Sequence, residues 1–142
     1  MDKTTRDEGK RIVIDFTTKF NIDRALELLE NAKQSARNGD YGNCAVLVQN
    51  AVSNAIGTLE IKSGIFKSGE MLFEKFSTFT DDSEIINAAR VIDDFFSPLL
   101  YPVGFDTATS EPDISADKAQ MAIRYGEILL SFVENKIKSS NK

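Results

Sequence analysis

The residues of this chain that could do chemistry lie close together, between positions 90 and 101. Arg90 could hold a phosphate through two parallel hydrogen bonds, although an ion pair with Asp93 or Asp94 is the commoner role for such a side chain. Asp93 and Asp94 are adjacent, and adjacent helical residues do not face each other, so we expect a solvated helix edge rather than an acid/base or metal pair. Tyr101, before Pro102, could stack on a base, but a ring in the core with its hydroxyl at the surface is more usual. The candidate ligand-binding residues are therefore Arg90, Asp94 and Tyr101.

The absence of histidine removes more chemistry than any other property of the sequence. Ser-His-Asp and Cys-His nucleophilic systems, His-ligated zinc or haem, and an imidazole general base are all excluded. The single cysteine, Cys44, can form neither an internal disulfide nor a thiolate metal site alone, and we expect it to be buried and inert. We therefore predict no catalytic residue, no bound metal and no cofactor.

The length and charge of the chain predict one globular domain. It has 142 residues, a formal net charge of −5 and 42% apolar residues, and a chain of this size can bury a core without metal or disulfide support. The acidic balance disfavours a general nucleic-acid coat. Its apolar runs are far too short for a membrane span, and no secretory signal is visible, so we expect a cytoplasmic protein without membrane contact.

Hydrophobic spacing and capping residues predict an αα-hairpin at the start of the domain. Asn21 can cap a first helix whose apolar positions fall on one stripe through Ala36, and Gly39 supplies a left-handed stop. Asp40 can cap a second helix that runs to Gly64. Residues 1–20 are ambiguous, because Ile12, Ile14 and Phe16 alternate as in a strand, whereas Phe16 and Phe20 share a helical face. We treat 1–20 as an N-terminal extension and 21–139 as the domain.

Three further helices are predicted beyond Gly64. A short one includes Met71 to Phe76, another starts after the capping segment 80–83 and closes at Pro98 and Pro102, and the last is capped by Ser115. The last helix has two apolar faces, which predicts that one packs in the monomer while the other contacts a partner. This candidate dimer face consists of Met121, Tyr125, Ile128 and Phe132. The predicted fold is all-α, an up-and-down bundle of four main helices plus a short helix.

The order of these signals resembles that of the HEPN domains of prokaryotes, over about residues 22–138. The matching features are a first helix ending in Gly-x-Tyr, an Ala/Gln-rich second helix, a Tyr-Pro segment before a loop, and a final helix with an Ala-x-x-Ala-Ile start. In this sequence they are Gly39-Asp40-Tyr41, Ala45 to Ala55, Asp93 to Pro102, and Ala119 to Ile123 followed by Ile128 to Val133.

The resemblance implies a helical fold that dimerises, often beside a nucleotidyltransferase partner in a toxin–antitoxin-like context, and in active branches a metal-independent ribonuclease. That ribonuclease activity depends on an Arg-x(4–6)-His motif. This chain lacks histidine, and the segment that commonly reads Thr-Arg-Tyr-Pro is Leu99-Leu100-Tyr101-Pro102. We therefore predict a non-catalytic homodimeric binding or regulatory module. The alternatives are a HEPN-type RNA-processing enzyme with a degenerate site and a nucleotide-binding dimer.

Overall fold

A computed structural model describes residues 3–66, 71–95 and 114–140, and within these ranges all regular structure is helical. The helices pack as an up-and-down bundle, which confirms the predicted fold class. The five helices are α1 (Lys3–Arg37), α2 (Tyr41–Ser63), α3 (Leu72–Ser77), α4 (Ser83–Phe95) and α5 (Ala116–Ser140). None of them is both long enough and apolar enough to cross a membrane.

The α1–α2 hairpin forms where the sequence predicts it. Gly39 has a φ of 81°, a left-handed conformation that a residue without a Cβ adopts readily. Asp40 caps α2, and its carboxylate accepts a hydrogen bond of 3.4 Å from the backbone N–H of Asn43. The Asn43 amide donates a second hydrogen bond of 2.9 Å to the hydroxyl of Ser35 near the end of α1. Because the connection is so short, the two helices must run antiparallel.

The start of α1 differs from the prediction. The helix begins at Lys3, and Asn21 lies in its interior, so the predicted cap at Asn21 is wrong. The strand-like alternation of Ile12, Ile14 and Phe16 belongs to this helix, in which Ile12 and Phe16 share a face that Ile14 does not. The predicted extension is thus helical from Lys3 onward and continuous with the first helix of the domain.

The core lies where α1, α2 and α5 meet, and small residues let the helices approach closely. The α2 seam includes Ala51 and Ala55, both fully buried. Gly126 on α5 lies against α2 so closely that a Cβ there would be 2.8 Å from Cγ1 of Val48. At its other end α2 stops as predicted at Gly64, which has a φ of 74° and donates its N–H to the carbonyl of Glu60.

Helices α3 and α4 close one side of the bundle. Phe76 of α3 is fully buried, and α4 buries the predicted face that includes Ile85, Ala88 and Ile92. The Oγ of Ser115 accepts a hydrogen bond of 3.3 Å from Lys118 N at the start of α5, which confirms the predicted cap. The prolines predicted to end α4 lie outside the described residues.

Candidate functional site

Arg90 packs against an aromatic ring in the part of the chain that the structure describes. Its guanidinium carbon is 4.3 Å from the centroid of the Phe73 ring, which is a cation–π distance. Among the described side chains it makes no ion pair, so the expected pairing with Asp93 or Asp94 is not seen there. The described surroundings give Arg90 a packing contact between α4 and α3.

Asp93 differs from its neighbour Asp94 in both burial and partners. The predicted solvated edge holds for Asp94, which is exposed, and is wrong for Asp93, which is buried. The two carboxylate oxygens of Asp93 accept hydrogen bonds of 3.0 Å from the backbone N–H groups of Leu72 and Phe73. Burial raises the pKa of Asp93, against the lowering effect of these two hydrogen bonds.

The role of Asp93 follows from this geometry. Its oxygens satisfy N–H groups in the first turn of α3, a helix whose own N-cap residue, Met71, offers no side-chain hydrogen bond. Asp93 therefore caps α3 from the neighbouring helix α4. Because both oxygens accept hydrogen bonds from backbone N–H groups, the carboxylate stabilises the start of α3 and its packing against α4.

Tyr101 lies outside the described residues, as does the segment 99–102. Among the residues that the structure does describe, no group of three or more Cys, Asp or Glu side chains is arranged to hold a metal ion. Cys44 is buried, and burial raises the pKa of its thiol to about 11.

The predicted dimer face on α5 is largely covered by the chain itself. Tyr125, Ile128 and Phe132 are partly buried and pack against the core. The ring of Phe132 lies 5.9 Å from that of Phe76 on α3. Met121 is the most exposed of the four residues, at 43%. The apolar surface that this face leaves for a partner is therefore small.

A larger exposed apolar surface lies on the first half of α1. It consists of four side chains that are each between 63% and 74% exposed, and we call it the α1 stripe: Ile12, Val13, Phe16 and Phe20. Ala25 follows Phe16 by nine positions, about 2.5 turns of helix, and Leu29 follows Phe20 by the same interval. Since Ala25 and Leu29 are buried, the α1 stripe points directly away from the core.

The inner face of the same segment is unusually polar. Thr18 is buried there, and its hydroxyl donates a hydrogen bond of 2.7 Å to the carbonyl of Ile14. Asp15 forms an ion pair of 3.2 Å with Lys62 of α2. The first half of α1 thus shows its largest apolar side chains to solvent, whereas the side that faces the bundle carries polar side chains beside Ile14. The spacing of Phe16 and Phe20 indicates a helical face, but spacing alone cannot show which way that face turns.

These observations define an all-helical bundle whose most distinctive described surface is the exposed apolar α1 stripe. The model of the HEPN domain family matches residues 18–136 of the chain, most of its length, and the chain therefore belongs to this family. Among curated proteins, none matches the chain significantly.

Three solved structures show the same fold. An archaeal HEPN homologue superposes with a TM-score of 0.70 at 23% identity, covering 84% of this chain and 97% of that one. A protein from Thermus thermophilus gives a TM-score of 0.67 at 22% identity, with the same two coverages. A HEPN domain protein from Thermotoga maritima gives 0.63 at 19% identity, over 84% and 98% of the two chains. At these identities the likeness establishes the fold.

Proposed function

We propose that this protein is a non-catalytic HEPN module that forms a homodimer and serves as a binding or regulatory partner of a nucleotidyltransferase, in a toxin–antitoxin-like setting. The observation that carries the proposal is the α1 stripe, because large apolar side chains clustered on a surface usually mark an interaction site. Phe16 and Phe20 alone leave most of two aromatic rings in water.

The non-catalytic part of the proposal is supported by composition. The nuclease activity implied by the resemblance needs a histidine, and the chain has none. The buried aspartate nearest to the predicted site, Asp93, is occupied by backbone donors. Neither the lack of histidine nor the hydrogen bonding of Asp93 favours a catalytic group that could take over the role of the missing nuclease motif.

The geometry of the α1 stripe suits a two-fold dimer. From Ile12 to Phe20 the stripe extends about 12 Å along the helix axis. Two copies of α1 packed antiparallel would place each stripe on the other, as an isologous interface requires. A stable dimer buries about 800 Å² on each partner, so the stripe would form the centre of the interface and polar residues around it the rim.

Sedimentation velocity at micromolar concentration tests this arrangement. The wild-type chain is expected to sediment as a dimer and Phe16→Glu as a monomer, because a carboxylate on each copy would be buried opposite its symmetry mate. Met121→Glu changes an exposed residue of the α5 face and is the matched control, expected to remain dimeric. A monomeric wild type would refute the homodimer, and dissociation of Met121→Glu alone would move the interface to α5.

Two further measurements address the rest of the proposal. Co-expression of the chain with a nucleotidyltransferase encoded beside it should yield a complex that survives gel filtration. Purified protein should leave RNA intact. If RNA were cleaved and Arg90→Ala abolished that cleavage, the protein would be an RNA-processing enzyme with a degenerate site, contrary to the proposal.

A further inference from the structure

A cleft of about 480 Å³ lies between the inner face of the first half of α1 and the ends of two other helices. Four basic side chains line it: Lys10 and Arg11 from α1, Lys62 from the last turn of α2, and Lys136 from α5. Asp15 is its single acidic lining residue. The ring of Phe79, from the segment between α3 and α4, forms part of the wall.

The charge of this cleft contrasts with that of the chain. Its four cations and one carboxylate sum to 4 − 1 = +3, whereas the chain carries a formal net charge of −5. The carboxylate is already engaged, since Asp15 Oδ1 lies 3.2 Å from Lys62 Nζ. Lys10 and Arg11 make no ion pair with any described residue. Where the described residues supply no further counter-charge, gathering these cations is unfavourable, and a bound anion would reverse that cost.

The cations differ in how firmly they are held. The Lys62 side chain is only 12% exposed and is fixed by Asp15 at the inner side of the cleft. Lys10, Arg11 and Lys136 are exposed and can close on a ligand from the rim. A planar guanidinium such as that of Arg11 can hold two oxygens of one phosphate at once.

We propose that this cleft binds a small ligand that carries two or more linked phosphate groups. A net charge of +3 matches a di- or triphosphate better than a single phosphate, and the volume lies in the range of small-molecule sites. The four cations line a single cleft in an acidic protein, whereas sites for nucleic-acid strands spread Lys and Arg along a track. Phe79 offers a surface for an apolar or aromatic part of the ligand.

One wall of this site lies outside the segment that matches the HEPN family, and the other lies within it. Lys10, Arg11 and Asp15 all precede residue 18, where the match to the family begins. The site is therefore completed by the first half of α1. It is also independent of the proposed dimer, because the α1 stripe lies on other faces of the helix and none of its residues lines the cleft.

Isothermal titration calorimetry of the full chain with inorganic tripolyphosphate at about 150 mM salt tests the proposal. We expect one ligand per chain and at least about tenfold weaker binding by Arg11→Glu, since a charge-assisted contact is lost. Arg24→Glu is the matched control, because it makes the same charge change on the same helix. Arg24 lies about 20 Å along α1 from Arg11, beyond the range of screened electrostatics, so its effect should stay within about twofold.

Further titrations distinguish the ligand class. Orthophosphate should bind at least about tenfold more weakly than tripolyphosphate, and ATP binding tighter than tripolyphosphate would show that Phe79 contacts the base. Absence of tripolyphosphate and ATP binding at millimolar concentration would overturn the proposal, as would equal weakening by Arg11→Glu and Arg24→Glu. Binding of an RNA oligonucleotide that depends on Arg11, without tripolyphosphate binding, would assign the cleft to RNA and also overturn it. Sedimentation of Arg11→Glu should match wild type, which keeps this result separate from the dimer.

Discussion

Replacing Gly126 by alanine tests how tightly α5 is packed against α1 and α2. A Cβ at this position would lie 2.8 Å from Cγ1 of Val48 and 3.5 Å from Cδ1 of Leu29. The first distance is well inside van der Waals contact. Val48 is fully buried and β-branched, so its χ1 is held near one rotamer in a helix and its methyl group cannot easily turn away. Accommodating the added methyl group would require α5 to shift or Val48 to adopt a strained rotamer.

Two opposing effects set the magnitude. A glycine-to-alanine change inside a helix stabilises by about 0.5–1 kcal/mol, because the unfolded chain loses conformational freedom. An extra methyl group in a filled core costs about 1–3 kcal/mol. We therefore expect Gly126→Ala to lower the free energy of unfolding by about 1 kcal/mol, which corresponds to a fall in Tm of about 3–4 °C for a domain of this size.

Urea unfolding followed by circular dichroism measures this difference. Gly57→Ala is the matched control, because Gly57 lies inside α2 and a Cβ there would meet nothing within 4 Å. That variant should gain about 0.5–1 kcal/mol from helix propensity alone. If Gly126→Ala were stabilised as much as Gly57→Ala, the close contact would be refuted. The double variant Gly126→Ala/Val48→Ala should lose less than the two single variants combined, because removing the Val48 methyl groups relieves the clash.

Three other predictions concern two buried residues, Asp93 and Cys44. Asp93→Ala should lower the free energy of unfolding by about 2 kcal/mol, because it leaves the N–H groups of Leu72 and Phe73 without their acceptor. Urea unfolding measures this loss, and Asp94→Ala, at an exposed position, is the control. Since the folded-state pKa of Asp93 is raised, its protonation favours folding. The stability of wild type relative to Asp93→Asn should therefore fall as pH rises from 3.8 through the raised pKa. A rise in relative stability over that pH range would contradict an upward shift of the pKa. Cys44, buried and with a pKa of about 11, should not react with Ellman's reagent at pH 8 until urea unfolds the chain, and rapid labelling of the native protein would show that the site is open.

The features that sequence reasoning places correctly are those set by neighbouring residues. The turn between α1 and α2 depends on Gly39 and Asp40, and the end of α2 depends on Gly64, all within a few positions of the backbone groups they affect. The stripes that face the core are likewise readable from spacing alone, because a helix repeats every 3.6 residues.

Two features cannot be read locally. Asp93 caps a helix whose first residues lie 20 and 21 positions earlier, so its burial depends on how α3 and α4 pack. The second apolar face of α5 is recognisable from spacing as apolar, but whether other helices cover it is a tertiary property, seen for example in the contact between Phe132 and Phe76.

The start of α1 cannot be placed from the sequence for a different reason. Periodicity identifies a helix by an apolar face that turns toward the core, and residues 8–20 have their apolar face outside. Asn21, a good cap by type, lies at the point where the inward-facing pattern begins, so it imitates the beginning of a helix. The same inversion is what makes the segment a candidate for interactions.

Helix α1 is unbroken from Lys3 to Arg37. The number of residues between Phe20 and the core-facing Ala25 therefore fixes the directions in which the α1 stripe and the cleft residues of α1 point. Each residue turns a helix by about 100°, so one residue inserted between Phe20 and Ala25 would rotate every earlier side chain by that angle about the domain. The α1 stripe would then face sideways, and Arg11 would leave the cleft. Inserting four residues would nearly restore both directions while moving them about 6 Å outward. The function of both surfaces therefore depends on the number of residues in this helix as well as on the identity of its side chains.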